Sequence, residues 1–302
     1  MTKQVASGMT FGDLDIRSTT PHFDNAAPDR ARLAVNQITT YRWEFDEDVT
    51  GCVNAGIEGI GIWLRKLHDF GEERSLECIQ ESGLSVSTVS LAGGFTGSAG
   101  CSFRDALRYA ADSVGLARRL AADAVVLVSG PRSGHTRNHA RRLFVEAIKC
   151  LSDLAGESSL NLAIKPMHPS QARQWTFLNS LDQAMELVSQ VDLPNVKLAL
   201  NTAEMRHEQS LIERAAELAP HVAVLQLADA FNRPHTAGES TENCHLLPGE
   251  GDVPVMEIAE AFVRNGYRNH LEVEVWSDSV WASNPADVLS HSRRLFPAEV
   301  SS

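Results

Sequence analysis

The feature that most constrains this chain is an alternation of short apolar runs with longer amphipathic segments, repeated about eight times. The apolar runs are typical of buried strands and occupy residues 32–38, 59–63, 84–91, 123–130, 160–166, 195–201, 222–228 and 270–276. Between them, apolar residues recur at three- and four-residue steps, as in helices, for example over 72–83, 105–122, 137–157, 180–191 and 253–266. Because parallel strands need helical crossovers, the alternation predicts an α/β fold, a single (β/α)8 TIM barrel.

The length of 302 residues fits one large barrel or two modest domains, and no break in composition marks a second domain. A doubly wound open sheet would also alternate, but no glycine-rich phosphate loop follows the first strand. The barrel is therefore favoured. We expect residues 1–30 to form a loosely ordered N-terminal arm and residues 31–302 to form the barrel domain.

Composition restricts the partners and the location of the protein. A formal charge of −12 argues against nucleic acid, and no apolar run approaches the roughly 20 residues that span a bilayer. No secretory signal is visible at the start, and the five cysteines are odd in number and widely spaced, which suits a reducing cytoplasm. Each cysteine is expected to be a small buried residue. The expected partner is a small-molecule substrate, and a homo-oligomer is possible although no self-pairing signal is visible.

Several apolar strands end in polar residues, and the carboxyl ends of barrel strands are where reactive groups lie. Burying such groups without partners costs on the order of 1–3 kcal/mol each, so we expect them to share a polar cavity. The candidates are Asn36, Gln37, Trp63, Lys66, Gly93, Gly94, Lys165, His168, Asn201, Glu204, Gln226, Asp229, Glu272, Glu274 and Trp276.

Aromatic residues also gather near the predicted strand ends. They are Trp63, Phe95, Trp175, Phe177, Phe231, Trp276 and Trp281, which include four of the five tryptophans of the chain. They either close the top of the barrel by ordinary packing or line a pocket for a flat or ring-shaped ligand. The sequence leaves both interpretations open.

Segments spread along the chain resemble one known family. They are "AVNQITT" (34–40), "AGIEGIGIWLRKLHDFG" (55–71), "STVSLAGGF" (87–95), "LAIKPMHPS" (162–170), "LNSLDQAMELV" (178–188), "LPGEGDVPV" (247–255) and "GYRNHLEVEVWSD" (266–278). From this set, which extends over roughly residues 30–296, the chain is identified as a member of the xylose isomerase-like barrel superfamily, the sugar phosphate isomerase/epimerase group.

The resemblance implies a divalent metal such as manganese, held by a Glu, an Asp, a His and a second Glu from four strands. Carried onto this chain, those four positions are Lys165, Asn201, Gln226 and Glu274. The usual "D-x-x-H" ends in Glu204, whereas the usual "H-x-x-D" keeps its Asp as Asp229. Three of the four ligands are lost, and an ammonium group offers no lone pair to a metal. We therefore expect no metal and no other cofactor, with the charge of Lys165 near the place of the ion.

The predicted catalytic residues are Lys165, Glu274, His168 and Asp229. Lys165 is a candidate base, a Schiff-base nucleophile or a stabiliser of an oxyanion, and the sequence does not choose among these. It could also be an ordinary solvent-facing lysine. An imidazole group titrates near neutrality, so His168 could move protons or simply bond to its own loop.

Eight further residues are predicted to contact the substrate: Asn36, Trp63, Lys66, Asn201, Glu204, Gln226, Glu272 and Trp276. Glu272 and Glu274 are two positions apart, so their side chains point the same way, and the resemblance favours the interior. Asn201 and Gln226 could instead be fillers of a decayed site.

These observations predict a metal-independent isomerase, epimerase or lyase that transfers a proton next to a carbonyl group of a small polyhydroxy or ring-shaped substrate. The loss of a strong Lewis acid suits a substrate that is already activated, as in a biosynthetic tailoring step. Two alternatives remain. The chain is a non-catalytic binding or partner subunit, or it carries a displaced metal site built from Glu204, Asp229, Glu274 and His168.

Overall fold

A computed structural model describes residues 30–97, 100–156, 159–208, 210–232 and 244–296. Within these ranges eight parallel strands close into a barrel in chain order, and the last strand pairs with the first. The strands are β1 (Arg32–Asn36), β2 (Gly59–Trp63), β3 (Ser85–Gly93), β4 (Ala124–Val128), β5 (Asn161–Ile164), β6 (Val196–Asn201), β7 (Val222–Leu227) and β8 (His270–Val273). The (β/α)8 barrel predicted from the alternation is confirmed.

Helices connect the strands and cover the outside of the barrel. They are α1 (Phe45–Asn54), α2 (Leu64–Phe70), α3 (Glu72–Ser82), α4 (Phe103–Arg119), α5 (Arg137–Ala155), α6 (Leu181–Val191), α7 (Ala215–Leu218), α8 (Val255–Arg264), α9 (Asp278–Ala282) and α10 (Pro285–Leu295). Two 3₁₀ turns lie at Pro169–Gln171 and Ala219–His221. The five helices predicted from apolar spacing correspond to α3, α4, α5, α6 and α8.

Local residues fix where the long helices begin and end. The hydroxyl of Ser102 accepts the backbone N–H of Asp105 and caps α4, while Thr136 and Ser180 cap α5 and α6 in the same way. Gly83 follows α3 with φ 71°, the left-handed conformation that favours glycine, as its position in the sequence predicts. These caps set the loops that carry the strand ends.

The interior of the barrel has an apolar half and a polar half. Strands β4 to β7 contribute small apolar side chains, namely Ala124, Val126, Ala163, Ala199, Ala223 and Val224. The polar half is organised along β8, where His270, Glu272 and Glu274 occupy alternate positions and are all buried. This column of side chains runs from the amino-terminal to the carboxyl-terminal end of the barrel, which is the end where active sites of this fold lie.

Other expectations meet the structure in part. The predicted N-terminal arm lies outside the described residues, apart from Arg30. The five cysteines lie in the described ranges and form no disulfide there; Cys52 is buried as expected, but Cys101 is exposed because it lies in the loop before α4. In the described part of the chain no helix has the length and apolar character needed to cross a membrane.

Candidate active site

A cavity of about 340 Å³ opens at the carboxyl ends of the strands. It is lined by Ile38, Tyr41, Trp63, Arg65, Leu91, Lys165, Met167, Gln171, Gln174, Trp175, Glu204, Cys244, His245, Trp276 and Trp281. Of the residues predicted from sequence to form the site, Lys165, Trp63, Glu204 and Trp276 line this cavity.

Lys165 follows the last residue of β5 and is buried at the base of the cavity. Its ammonium group donates to both carboxylate oxygens of Glu274, at 2.8 Å to Oε1 and 2.9 Å to Oε2. Because an ammonium group carries three N–H bonds, one of them remains for a ligand in the cavity. Burial removes water that would screen this pair, and the two charges compensate one another.

Glu274 is held from behind by two further donors. The amide of Asn201 donates to its Oε2 at 2.7 Å, and the indole N–H of Trp276 donates to its Oε1 at 2.7 Å. Asn201 Nδ2 also lies 3.1 Å from the backbone oxygen of Glu274. The carboxylate therefore accepts four hydrogen bonds and lies behind Lys165, so Glu274 positions the ammonium group and does not line the cavity itself.

A second charged group, Glu204, lies on the cavity wall after β6. Its Oε2 accepts the backbone N–H of His168 at 2.8 Å, and its Oε1 lies 3.0 Å from His245 Nε2. The backbone N–H of Trp276 approaches His245 Nδ1 at 3.3 Å, which leaves Nε2 as the nitrogen that donates to Glu204. Burial on its own would raise the pKa of Glu204, but these hydrogen bonds and the electrostatic attraction of His245 and Lys165 outweigh it and lower the pKa to about 2. Glu204 is therefore a carboxylate at neutral pH.

The four positions that hold a metal in the resemblance do not fit a divalent ion here. The ammonium group of Lys165 contacts both oxygens of Glu274, and the amides of Asn201 and Gln226 direct N–H donors at carboxylates. A divalent cation requires lone pairs from oxygen or imidazole ligands, and N–H donors directed at carboxylates do not supply them. Among the described residues, no three His, Cys, Asp or Glu side chains are grouped so that they could hold a metal ion.

The displaced metal site considered from sequence is also not assembled. The carboxylate of Glu274 is occupied by Lys165, and that of Asp229 is occupied by backbone N–H groups. The ring of His168 turns to Ser170, with Nδ1 2.9 Å from its hydroxyl. The four proposed ligands therefore do not converge.

One level deeper in the barrel, Glu272 forms a separate polar cluster. Its carboxylate accepts from Ser87 at 2.5 Å, Thr88 at 2.7 Å, Gln226 at 2.7 Å and Asn36 at 3.3 Å. Burial raises the pKa of Glu272, and the hydrogen bonds from Ser87, Gln226 and Thr88 oppose that rise. Asn36, Gln226 and Glu272 were predicted to contact the substrate; the structure corrects this, because they lie below the cavity and bind one another.

The structure also corrects the predicted catalytic role of Asp229. Its carboxylate accepts four backbone N–H groups, from Ala230 (2.8 Å), Val253 (2.9 Å), Gly249 (3.0 Å) and Gly251 (2.8 Å). A carboxylate fixed in this way anchors the loop before α8 and has no access to the cavity.

The structure also corrects the substrate contact predicted for Lys66 and the catalytic role predicted for His168, because both side chains bind groups outside the cavity. The ammonium group of Lys66, a residue of α2, is buried against Asp48 of α1 at 2.6 Å and the backbone oxygen of Thr40 at 2.9 Å. Burial raises the pKa of Asp48 to about 7 despite this neighbour. His168 contributes its backbone N–H to Glu204, while its ring caps the 3₁₀ turn and lies outside the cavity.

Five aromatic rings form a continuous wall of the cavity, which we call the aromatic arc. In order, the arc is Trp63, Tyr41, Trp281, Trp276 and Trp175, with centroid separations of 5.4, 4.6, 6.2 and 5.8 Å. The four tryptophans of the arc therefore line the pocket, as one of the two interpretations of the sequence proposes. Phe95 and Phe177 belong to the core instead, and Phe231 is 46% exposed.

Sequence reasoning missed several cavity residues, most notably His245, Arg65 and Tyr41. His245 lies in a long connection between β7 and α8, far along the chain from a strand end. Tyr41 and Arg65 lie within five residues of β1 and β2, so a search that extended a few residues beyond each strand would have included them.

The comparisons with known proteins concern family and fold. The sequence model of the xylose isomerase-like TIM barrel family matches residues 50–298. No curated protein sequence matches the chain.

Among solved structures, a protein from Sinorhizobium meliloti 1021 is 23% identical with a TM-score of 0.77, covering 86% of this chain and 95% of that one. The IOLI protein, whose structure holds a zinc atom, is 20% identical with a TM-score of 0.74, covering 87% and 96%. The 3-keto-D-glucoside 4-epimerase YcjR of E. coli is 15% identical with a TM-score of 0.69, covering 87% and 97%. At these identities the likeness establishes the fold.

Proposed function

This chain belongs to the xylose isomerase-like TIM barrel family, and from that premise we propose that it is an isomerase, epimerase or lyase acting on a small carbonyl compound. One similar structure, YcjR, is named as an epimerase of a keto sugar derivative, which supports this class of chemistry. The proposed reaction begins with proton removal next to a carbonyl group and uses no metal ion.

The observation that carries the proposal is the ammonium group of Lys165 at the base of the cavity, with one N–H bond not used by Glu274. In a site with little water, a fixed cation beside a carbonyl oxygen stabilises the negative charge that develops there. The carboxylate of Glu274 holds the Lys165 nitrogen in place through two hydrogen bonds. This supports the role of oxyanion stabiliser over those of base and Schiff-base nucleophile.

The proposed base is Glu204, because it is the carboxylate on the cavity wall. Each of its oxygens accepts one hydrogen bond, from His168 or His245, and each keeps a lone pair. A pKa of about 2 makes this carboxylate a weak base. The substrate should therefore carry an unusually acidic C–H bond, as a conjugated carbonyl compound does.

The proposed step is balanced without an oxidant or a second reactant. Glu204 takes a proton from the carbon next to the carbonyl group, and the electron pair of that C–H bond moves toward the carbonyl oxygen. The resulting enolate oxygen accepts the N–H bond of Lys165. Protonation of the opposite face by a water molecule, while Glu204 releases its proton to solvent, gives an epimer. Return of the proton from Glu204 to the neighbouring carbon, after proton transfer between the oxygens, gives an isomer. When the next carbon carries a hydroxyl group, the enolate electron pair forms a C=C bond, the C–O bond breaks, and the departing oxygen takes the proton from Glu204 and leaves as water, which gives an elimination product.

The test measures exchange of C–H hydrogens for deuterium by NMR in D₂O. The substrates offered are a panel of ketoses, ketose phosphates, cyclic enones and aromatic keto acids. We expect enzyme-dependent exchange in at least one of these classes, reduced at least about 100-fold in a Lys165→Met, Glu274→Gln double variant. The double variant avoids leaving Glu274 as an unpaired buried charge.

Lys149→Met, which changes an exposed lysine of α5, is the matched control and should keep the full rate. Retention of the rate in the double variant would reject Lys165 as the stabilising group. Binding of a compound without any exchange across the panel would favour the alternative of a non-catalytic binding subunit.

A further inference from the structure

The aromatic arc exposes large ring faces to the cavity. Tyr41 is 39% exposed, and the four tryptophans of the arc are partly exposed. Rings left open to water in a concave site are energetically costly unless a ligand covers them. Flat conjugated rings and the apolar faces of sugars both stack on such walls, so the arc indicates a ring but does not by itself choose between these two.

The polar side of the cavity favours the flat ring. His245 uses both ring nitrogens, one with Glu204 and one with the backbone N–H of Trp276. Lys165 has one N–H bond to offer, and the amides of Gln171 and Gln174 are the neutral side-chain amides on the wall. Along the aromatic arc, the indole N–H groups of Trp276 and Trp281 are used by Glu274 and by the backbone oxygen of Ile38. Hydroxyl groups of a polyhydroxy substrate that faced these two rings would lack a partner, and each such hydroxyl weakens binding.

Arg65 adds a positive charge at the edge of the cavity. It lies in the first turn of α2, is exposed, and places its guanidinium carbon 5.8 Å from the centroid of Trp63. Within the described ranges Arg65 forms no ion pair, in contrast to Arg119 and Arg214, which each contact two carboxylates. A guanidinium group stacked on a ring presents its edge to a carboxylate, which it binds through two parallel hydrogen bonds.

We propose that the cavity takes a flat, conjugated or aromatic ring compound that carries a carboxylate. The ring stacks on the aromatic arc, the carboxylate binds Arg65, and an oxygen substituent of the ring meets Lys165. The inference rests on the proposed function for the reaction, but the binding it describes does not require turnover.

The test measures dissociation constants by isothermal titration calorimetry with four probes. They are 4-hydroxybenzoate, which is flat and anionic; 4-hydroxybenzyl alcohol, flat and neutral; cyclohexanecarboxylate, puckered and anionic; and D-xylose, a polyol. None of the first three carries a ketone or aldehyde group, so the proposed reaction cannot act on them, and failure of binding and failure of catalysis are separate results. We expect 4-hydroxybenzoate to bind at least about tenfold more tightly than each of the other three.

Arg65→Gln should reduce the affinity for 4-hydroxybenzoate to that for the neutral alcohol, and it should leave the affinity for the alcohol unchanged. Arg74→Gln is the matched control, because Arg74 stacks on Phe70 outside the cavity, and it should change neither probe. Tighter binding of D-xylose, or no binding of any probe, would overturn the proposed ring. Unchanged binding of 4-hydroxybenzoate to the Arg65 variant would overturn the proposed carboxylate contact.

Discussion

Two buried carboxyl groups show how neighbours decide the protonation of a residue. Glu204 and Glu272 are both removed from water, and burial alone would raise the pKa of each. Glu204 receives N–H donors from His245 and His168 and lies near the charge of Lys165, so its pKa falls to about 2. Glu272 receives hydroxyl and amide donors without a cation, and its pKa stays raised. The same side chain therefore serves as an anion in one place and resists ionisation in the other.

Glu204 should make the stability of the folded protein sensitive to acid. Its folded pKa of about 2 is below the ordinary value of 4.5, so its contribution is present above pH 4.5 and is lost as the pH falls toward 2. The contribution of Glu204 to the free energy of unfolding above pH 4.5 is about 3 kcal/mol. We expect Glu204→Gln to lower the free energy of unfolding at pH 7 and to flatten its decline between pH 5 and pH 3, measured by urea titration. Glu260→Gln, at an exposed position of α8, should retain the wild-type slope, and an equally steep decline in both variants would contradict the assignment.

At the scale of elements, strand β2 leaves space for the polar cluster around Glu272. A Cβ atom at Gly61 would lie 2.3 Å from Glu272 Oε2 and 2.5 Å from Asn36 Nδ2. Such contacts are shorter than any real Cβ contact, and both partners are fixed by hydrogen bonds. Gly61, the second glycine of "GIGIW", is therefore needed at this position, since any side chain there would displace the carboxyl group of Glu272.

Substitution of two glycines tests this requirement. Gly61→Ala should destabilise the protein by about 1–3 kcal/mol, because the added methyl group overpacks the interior. Gly115→Ala is the matched control in the middle of α4, where no atom lies within 4 Å of the added methyl group. It should stabilise the protein by about 0.5–1 kcal/mol, because alanine is the better helix former. Thermal unfolding of both variants measures the difference, and equal melting temperatures would refute it.

The elements differ in how far the sequence predicts them. Buried parallel strands are continuous apolar runs, so all eight strands of the barrel were predicted from sequence. Helices α1, α2, α7, α9 and α10 were not individually predicted. Of these, α2, α7 and α9 are short, and polar residues of α1 and α2 serve local contacts, as Lys66 does with Asp48. Apolar periodicity gives little signal over one or two turns.

The site was predictable only in part, for a related reason. Lys165, Glu204, Trp63 and Trp276 follow from the rule that reactive groups lie at strand ends. The sequence does not show which strand-end groups will satisfy one another. The carboxylate of Asp229 accepts four backbone N–H groups of its own loop and therefore does not line the cavity, whereas His245 reaches the cavity from a distant loop.

At the scale of the whole molecule, the barrel keeps the strand order and closure of its fold, while three of the four positions at which the resemblance implies metal ligands carry other residues. The residues at the four metal positions come from four strands, so each can be exchanged without changing the connectivity. Lys165 and Asn201 both bind Glu274, so three of the four side chains meet at one place, and Gln226 lies one level deeper against Glu272. The scaffold should therefore accept the metal ligands again.

A triple variant tests this expectation. We expect Lys165→Glu, Asn201→Asp and Gln226→His together to bind about one Mn²⁺ per chain by elemental analysis, while the wild-type protein binds none. At a Mn²⁺ concentration 100 times the dissociation constant, the bound ion should add about 2.7 kcal/mol to the stability of the variant. Stoichiometric Mn²⁺ in the wild-type protein would instead contradict the metal-independent proposal.

The column along β8 has a consequence for how the chain completes its fold. His270 reaches Ser85 and Asp123, Glu272 reaches Asn36 and Gln226, and Glu274 reaches Lys165. Every one of these partners is made earlier on the ribosome, and the contacts join residues separated by between 46 and 236 positions. Until the eighth strand docks, water must satisfy the donors directed at the future axis of the barrel. Sealing of the interior therefore requires β8, and docking of this one strand excludes water from all three levels together.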